Sequence, residues 1–293
     1  MATKNKNPPL IVIVGPTASG KTGLAIDIAK QYNGEIICAD SRSIYKGADI
    51  GTAKPSPVEQ LAVPHWGLDL VEPGDYFSVA DFKKYANQKI DEIRSRCRVP
   101  LLVGGTGLYI DSIIFDYKFG PSKDESLRSK LQRMSLEELH NYCKNNSITL
   151  PNNFKNKRYV IRTIEKNAVE SRKNEIPLNN SVIVGITTEK EVLITRIRAR
   201  TKQLFEGGVV DEAMRLGNKY GWENEAMKSN IYPLIHLFSE GMMSIEDVNE
   251  RFVTLDWRLA KRQITWLKRN KFIHWVSLDD AKKYLCDMLA IYE

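Results

Sequence analysis

The segment Gly15-Pro-Thr-Ala-Ser-Gly-Lys-Thr22 limits the fold more than any other stretch. It lies between an apolar run, Leu10 to Val14, and Gly23-Leu-Ala-Ile-Asp-Ile-Ala-Lys30. That order reads as strand, glycine loop, helix. The backbone of Gly15, Pro16, Thr17, Ala18, Ser19 and Gly20 can then wrap its available N–H groups around an anionic oligophosphate. Lys21 adds a point charge, and Thr22 offers a hydroxyl to Mg²⁺ at the helix N-terminus. Average composition predicts only about 0.01 chance matches to this spacing in a chain of such length. The loop points to phosphate binding and leaves open what is done with the phosphate.

Composition narrows the setting. A chain of 293 residues, 42% hydrophobic, can form one α/β domain plus an insertion around a sizeable core. The formal charge of +7 favours an anionic partner. Cys38, Cys97, Cys143 and Cys286 are scattered without metal-ligand or C-x-x-C spacing, which predicts a reduced, cytoplasmic chain without structural zinc. The first residues hold no apolar signal core and no long apolar run follows, so neither secretion nor membrane spanning is expected. A monomer is the default expectation.

Strand and helix alternate over roughly the first 115 residues. Lys21–Tyr32 reads as a helix closed at Asn33-Gly34, and Glu35–Ala39 as a second strand. Ser78 and Asp81 form a capping box ahead of Val79, Phe82, Ala86, Ile90, Ile93 and Cys97, an amphipathic helical series. Pro100–Val103 reads as a buried strand entering Gly104-Gly105-Thr-Gly107. This alternation predicts an α/β fold, a P-loop NTPase-like parallel sheet flanked by helices. Its ligands would sit at the strand C-terminal ends, where Gly15, Asp40 and Gly104 all fall.

Between 119 and 180 the character changes. This stretch carries 12 Lys/Arg and 7 Asp/Glu, has a capping box at Ser135 and Glu138, and predicts another helix from Asn156. It reads as a helical insertion dividing a core made of 1–118 and 181–293. Ser181–Thr188 returns to strand, and the remainder reads as helical. Arg251–Lys271 contains 7 basic residues and one acid, with Trp257 and Trp266 interleaved. Such a face could track an RNA backbone or be a solvated helix surface.

Several longer matches now add up. They are Gly15–Thr22, Asp40-Ser41 with Ile44–Pro55, Pro64-His65, Ser78-x-x-Asp81-Phe82 and Leu101–Tyr109. Arg158 with Arg162-x-x-Glu165, Arg196-Ile-Arg-Ala-Arg200 and Leu259-Ala-Lys-Arg-Gln-Ile-Thr-Trp266 complete the series. In these residues and their order, the chain resembles the tRNA dimethylallyltransferases (tRNA isopentenyltransferases) over nearly its whole length. The resemblance implies transfer of a dimethylallyl group from dimethylallyl diphosphate to N6 of the adenosine just 3′ of the anticodon, with Mg²⁺ as cofactor. It implies that Asp40 is the general base, that Arg200 reaches the diphosphate held by the P-loop, and that Thr106 lies near the reacting amine. It also implies tRNA contacts at Asp40, Ser41, Arg42, Ser43, Arg158, Arg162, Lys228 and Tyr232, with the helical insertion gripping the anticodon stem-loop.

The chemistry suits these residue types. A guanidinium fork matches two phosphate oxygens, and positively charged groups stabilise the departing diphosphate. A positioned carboxylate that takes the N6 proton contributes on the order of 10²–10⁴-fold. Other readings remain open from the residues alone. Asp40 could hold Mg²⁺ through water, as in P-loop kinases, and Thr106 could serve only its turn. Asp49 and Asp81 read as a turn residue and a helix cap. Lys54 is a candidate phosphate or RNA contact or a plain surface lysine, and His65 receives no role. Alternative functions are a prenyltransferase for free adenine nucleotides, a P-loop small-molecule kinase or NTPase consuming ATP, and a non-catalytic RNA-binding protein.

Four departures from the family pattern stand out. Arg42-Ser43 replaces a hydrophobic residue and glutamine, and Tyr159 replaces a second arginine. Lys228-Ser-Asn-Ile-Tyr-Pro233 occupies the segment where Gly-Tyr is usual, and Asp256-Trp257 replaces a Thr-Arg pair. All lie where relatives touch RNA, whereas the diphosphate-binding positions match.

Overall fold

The computed structural model describes residues 8–119, 125–165 and 173–291. They fall into two compact units, one of residues 8–114 with 177–291 and one from within Phe115–Ile176. In the larger unit the chain runs β1 (Leu10–Val14), α1 (Lys21–Gln31), β2 (Gly34–Ala39), α2 (Pro57–Ala62), β3 (His65–Trp66), α3 (Val79–Ser95), β4 (Val99–Gly104) and α4 (Gly107–Ile114). The smaller unit contributes α5 (Glu125–Arg133), α6 (Leu136–Asn145) and α7 (Lys157–Glu165). The larger unit then resumes with β5 (Ser181–Ile186), α8 (Lys190–Glu206), α9 (Val209–Tyr220), α10 (Tyr232–Ser239), α11 (Ile245–Leu267), β6 (His274–Val276) and α12 (Leu278–Ala290).

The sheet has six strands in the order β3-β2-β4-β1-β5-β6, each neighbouring pair parallel. β1 lies inside it and every residue of Leu-Ile-Val-Ile-Val is buried, as a strand covered by helices on both faces requires. Register then sets the functional edge. Val14 pairs with Gly104 and Gly185, and Ala39 pairs with Gly104, so β1, β2 and β4 end level and β5 runs one residue further. Gly15, Asp40 and Gly105 each follow one residue past that row.

The capping box between Ser78 and Asp81 forms as its spacing predicts, and so does that between Ser135 and Glu138. One expectation fails: the segment after Thr188 is not wholly helical, because His274–Val276 pairs with Val184–Ile186 as an edge strand. Three residues are too few to display a period of two. The smaller unit encloses its own core of Leu131, Leu139, Cys143, Val160, Ile161 and Ile164. Its bounds lie four residues ahead of 119 and 180. No helix among the described residues is long and apolar enough to cross a membrane.

Candidate active site

The glycine loop joins β1 to α1 through two left-handed residues, Ala18 at φ 61° and Gly20 at φ 88°. Only glycine adopts the second without strain, and the turn it makes starts α1. The Lys21 ammonium folds back onto the Pro16 carbonyl at 3.0 Å. Burial pushes its pKa down to about 8, with the Asp40 charge pulling it up and the Arg200 charge pressing it down. The loop lysine is therefore within electrostatic reach of both the candidate base and the candidate diphosphate arginine.

Arg200 comes from α8, and its Nη1 donates to Thr17 Oγ1 at 2.7 Å. Its Nε is buried and has no partner among the described residues, nor has the Ser19 hydroxyl in the loop. Donors left unpaired beside a glycine loop suit an anion. Arg196, one helical turn before Arg200, reaches the carbonyls of Ser19 and Ala18 at 3.3 and 3.4 Å. From α11, Gln263 Oε1 accepts the Thr17 N–H at 2.8 Å. A Cβ on Gly105 would come within 2.4 Å of the Gln263 amide nitrogen, so glycine there lets α11 close on the loop. Sequence analysis gave neither Arg196 nor Gln263 a role. The i, i+4 spacing of Arg196 and Arg200 is the signal for the first; nothing local signals the second.

Asp40 ends β2. Its Oδ1 accepts the Arg42 N–H at 2.8 Å, and its other oxygen has no protein partner among the described residues. Thr106 Oγ1 accepts the Ser41 N–H at 3.1 Å, while the Thr106 N–H donates to the Ala39 carbonyl at 3.2 Å. The Gly-Gly-Thr turn thus clamps the peptide on either side of Asp40.

The positions expected to touch RNA divide. Arg42 donates to the Glu225 carbonyl, and Lys228 meets the Glu225 carboxylate at 2.7 Å, so two separate segments converge on one residue. Arg158 is exposed on α7, its guanidinium without a partner among the described residues, whereas Arg162 leans on Glu165 at 3.2 Å. Ser43 is buried, its carbonyl accepting the Asp69 N–H. Tyr232 corrects its expected role. It is fully buried, and its hydroxyl donates to Glu212 at 2.7 Å, so its ring cannot meet a base. The same carboxylate accepts the N–H groups of Asp49, Ile50 and Gly51, each at 2.8 Å.

Lys54 fits neither of its two readings. Its side chain is 3% exposed and bonds the Tyr45 carbonyl, Asp49 and Asp69 at 2.6 to 2.7 Å, an internal clamp. His65 Nδ1 contacts the Val63 carbonyl, and burial lowers its pKa. Along α11 and just past it, Arg258, Lys261, Arg262, Thr265, Trp266 and Arg269 line an open, basic surface groove.

Comparison with known proteins identifies the family. The family model described as IPP transferase matches residues 43–270. A tRNA dimethylallyltransferase of Bacillus velezensis is 35% identical, covering 98% of both chains, and one of Acetivibrio thermocellus is 39% identical over 92% of both. The crystal structure of the tRNA isopentenylpyrophosphate transferase of Bacillus halodurans superposes with a TM-score of 0.74 at 34% identity, covering 97% of this chain and 96% of that one. With identity of this level running end to end, and the same fold beneath it, the chain belongs to the tRNA dimethylallyltransferase family.

Proposed function

We infer that this protein transfers a dimethylallyl group from dimethylallyl diphosphate to N6 of the adenosine 3′-adjacent to the anticodon of a tRNA. The observation that carries the reading is the meeting of Lys21, Arg200 and Asp40 at one level edge of the sheet. The first two suit a leaving diphosphate and the third suits an amine losing a proton. In the reaction the allylic C–O bond breaks, the N6–C bond forms, and the N6 proton passes to the unpartnered Asp40 oxygen. The loop N–H groups, Lys21 and Arg200 take the charge that builds on the diphosphate. Thr106 holds the Ser41 peptide, and through it the Asp40 carboxylate, in place.

The residues at the loop fit Mg²⁺. The Thr22 hydroxyl at the start of α1 has no protein partner among the described residues, and no group of three or more His, Cys, Asp or Glu suited to a metal is found among them. A hard cation taking one hydroxyl, diphosphate oxygens and water matches that donor set. When bound, Mg²⁺ would add charge neutralisation for the leaving diphosphate. On the larger unit the anticodon stem-loop would lie against the basic face of α11, with Ser41, Arg42 and Lys228 around the Asp40 edge; Arg158, exposed on the smaller unit, is a further candidate tRNA contact. The target base must leave its stack to reach Asp40.

The test incubates the protein with Mg²⁺, labelled dimethylallyl diphosphate and unmodified tRNA, followed by nuclease digestion and mass spectrometry. Prenylated adenosine from the tRNA is the expected product. Labelled free nucleotide without labelled tRNA, or phosphate release from ATP, would replace this reading with one of the other two.

A further inference from the structure

Among the described residues, buried carboxylates are well partnered, with one exception. Glu35 accepts from Trp66, Arg96 and Arg98. Glu212 accepts three backbone N–H groups and the Tyr232 hydroxyl. Glu165 takes Arg128 and Arg162. Asp256 on α11 is only 4% exposed, yet its one protein partner is the neutral amide of Asn230, which donates to Oδ1 at 2.7 Å. Its second oxygen has no protein partner among the described residues. The charged groups that reach it are Arg200 from α8 and Asp40 from the end of β2. Burial raises its pKa above the usual carboxylate range, the Asn230 hydrogen bond and Arg200 opposing and Asp40 adding to the rise.

A carboxylate with so little compensation costs stability, so a staple of the fold would not be built this way. Asp256 lies on α11, which packs against α8 and whose Gln263 holds the same Thr17 that Arg200 bonds, so the arginine's charge reaches it, and that placement suggests use. The loop N–H groups, Lys21 and Arg200 together form a trap for diphosphate, and a trap tight enough to stabilise departure also retains the product. A negative charge within electrostatic reach of the arginine offsets part of that field. Asp256 is also one of the positions at which this chain departs from its family's pattern.

We propose that Asp256, held by Asn230, is a positioning residue that tempers the Arg200 field and thereby weakens the grip on diphosphate, hastening product release. This rests on the reading of Arg200 and the glycine loop as the diphosphate site. The experiment titrates inorganic diphosphate with Mg²⁺ into the full-length wild type, Asp256→Asn and Asp256→Thr by calorimetry, with Lys21→Ala as the control for location. Both Asp256 variants should bind diphosphate about three- to tenfold tighter, the effect of one nearby charge removed. The threonine variant also covers a failure of the asparagine variant to fold. Unchanged or weaker binding in a folded variant overturns the proposal, since a merely structural role can only loosen the site. Wild type that fails to bind, or binds as well as Lys21→Ala, defeats the diphosphate-site reading itself, and the proposal with it.

Discussion

Arg200 donates to the hydroxyl of Thr17 at 2.7 Å, across 183 residues of chain. The Thr17 N–H meanwhile goes to Gln263 on α11, so one loop residue is held by two helices that follow it in the chain. The guanidinium is thereby parked beside the phosphate loop, with its Nε still unpaired.

A planar fork beside a diphosphate does what an ammonium cannot, because it can bond two oxygens at once. Arg200→Lys should raise the KM for dimethylallyl diphosphate about tenfold. Arg200→Ala should lower kcat/KM by about 10²- to 10³-fold, the usual loss on removing a donor to developing charge. Steady-state kinetics with saturating tRNA measure both. Unchanged constants in the alanine variant would remove Arg200 from the site.

Lys21 makes diphosphate binding depend on pH. Burial lowers its pKa to about 8, so in the free protein its charge is lost as pH rises through that value. An arriving diphosphate favours the charged form. Affinity should therefore fall between pH 7 and pH 9, and binding near pH 8 should take up a proton. Lys21→Met should bind weakly and lack this part of the pH dependence. Calorimetry in buffers of different ionisation enthalpy reads the proton directly.

Tyr232 and Lys54 should behave as parts of the fold. Tyr232→Phe deprives Glu212 of one donor while leaving its three backbone partners, a loss of about 1 kcal/mol in urea unfolding. Lys54→Met leaves Asp49 and Asp69 without their shared cation and the Tyr45 carbonyl without a donor. Because both aspartates are about half exposed, the loss should be about 2 kcal/mol rather than that of a fully buried pair. tRNA affinity per folded molecule should stay near wild type in Tyr232→Phe; a tenfold loss would restore Tyr232 to the RNA surface.

Those two residues also mark what the sequence could disclose. The strand–loop–helix of Leu10 to Gln31 was legible because its signals are local: an apolar run, glycines at fixed spacing, then a helical series. The positions of Asp40 and Thr106 at the sheet edge were legible because each follows a buried strand. Burial of a polar side chain is decided by distant chain. Lys54 reads as an ordinary loop lysine until Asp69 and the Tyr45 carbonyl surround it, and Tyr232 reads by resemblance as a tRNA contact until α9 supplies Glu212. Gln263 is indistinguishable from any polar residue on a basic helix until Gly105 lets that helix approach.

The smaller unit can be removed by a cut that the structure makes simple. The Leu178 N–H donates to the Ile114 carbonyl at 2.7 Å, so the chain leaves and re-enters the larger unit at adjacent points. Phe115–Ile176 encloses its own core, and every strand of the sheet lies outside it. Replacing that stretch with a short glycine-serine linker should leave a folded sheet that binds Mg²⁺-diphosphate with wild-type affinity. If Arg158 and its neighbours grip the anticodon stem-loop, tRNA affinity should fall at least about 10²-fold, since several phosphate contacts go at once. Arg158→Ala alone should cost far less and reduce the salt dependence of binding by about one counterion. Filter binding across a salt series separates the cases. Normal tRNA affinity in the trimmed protein would mean that the basic face of α11, with Arg42 and Lys228, carries the recognition by itself.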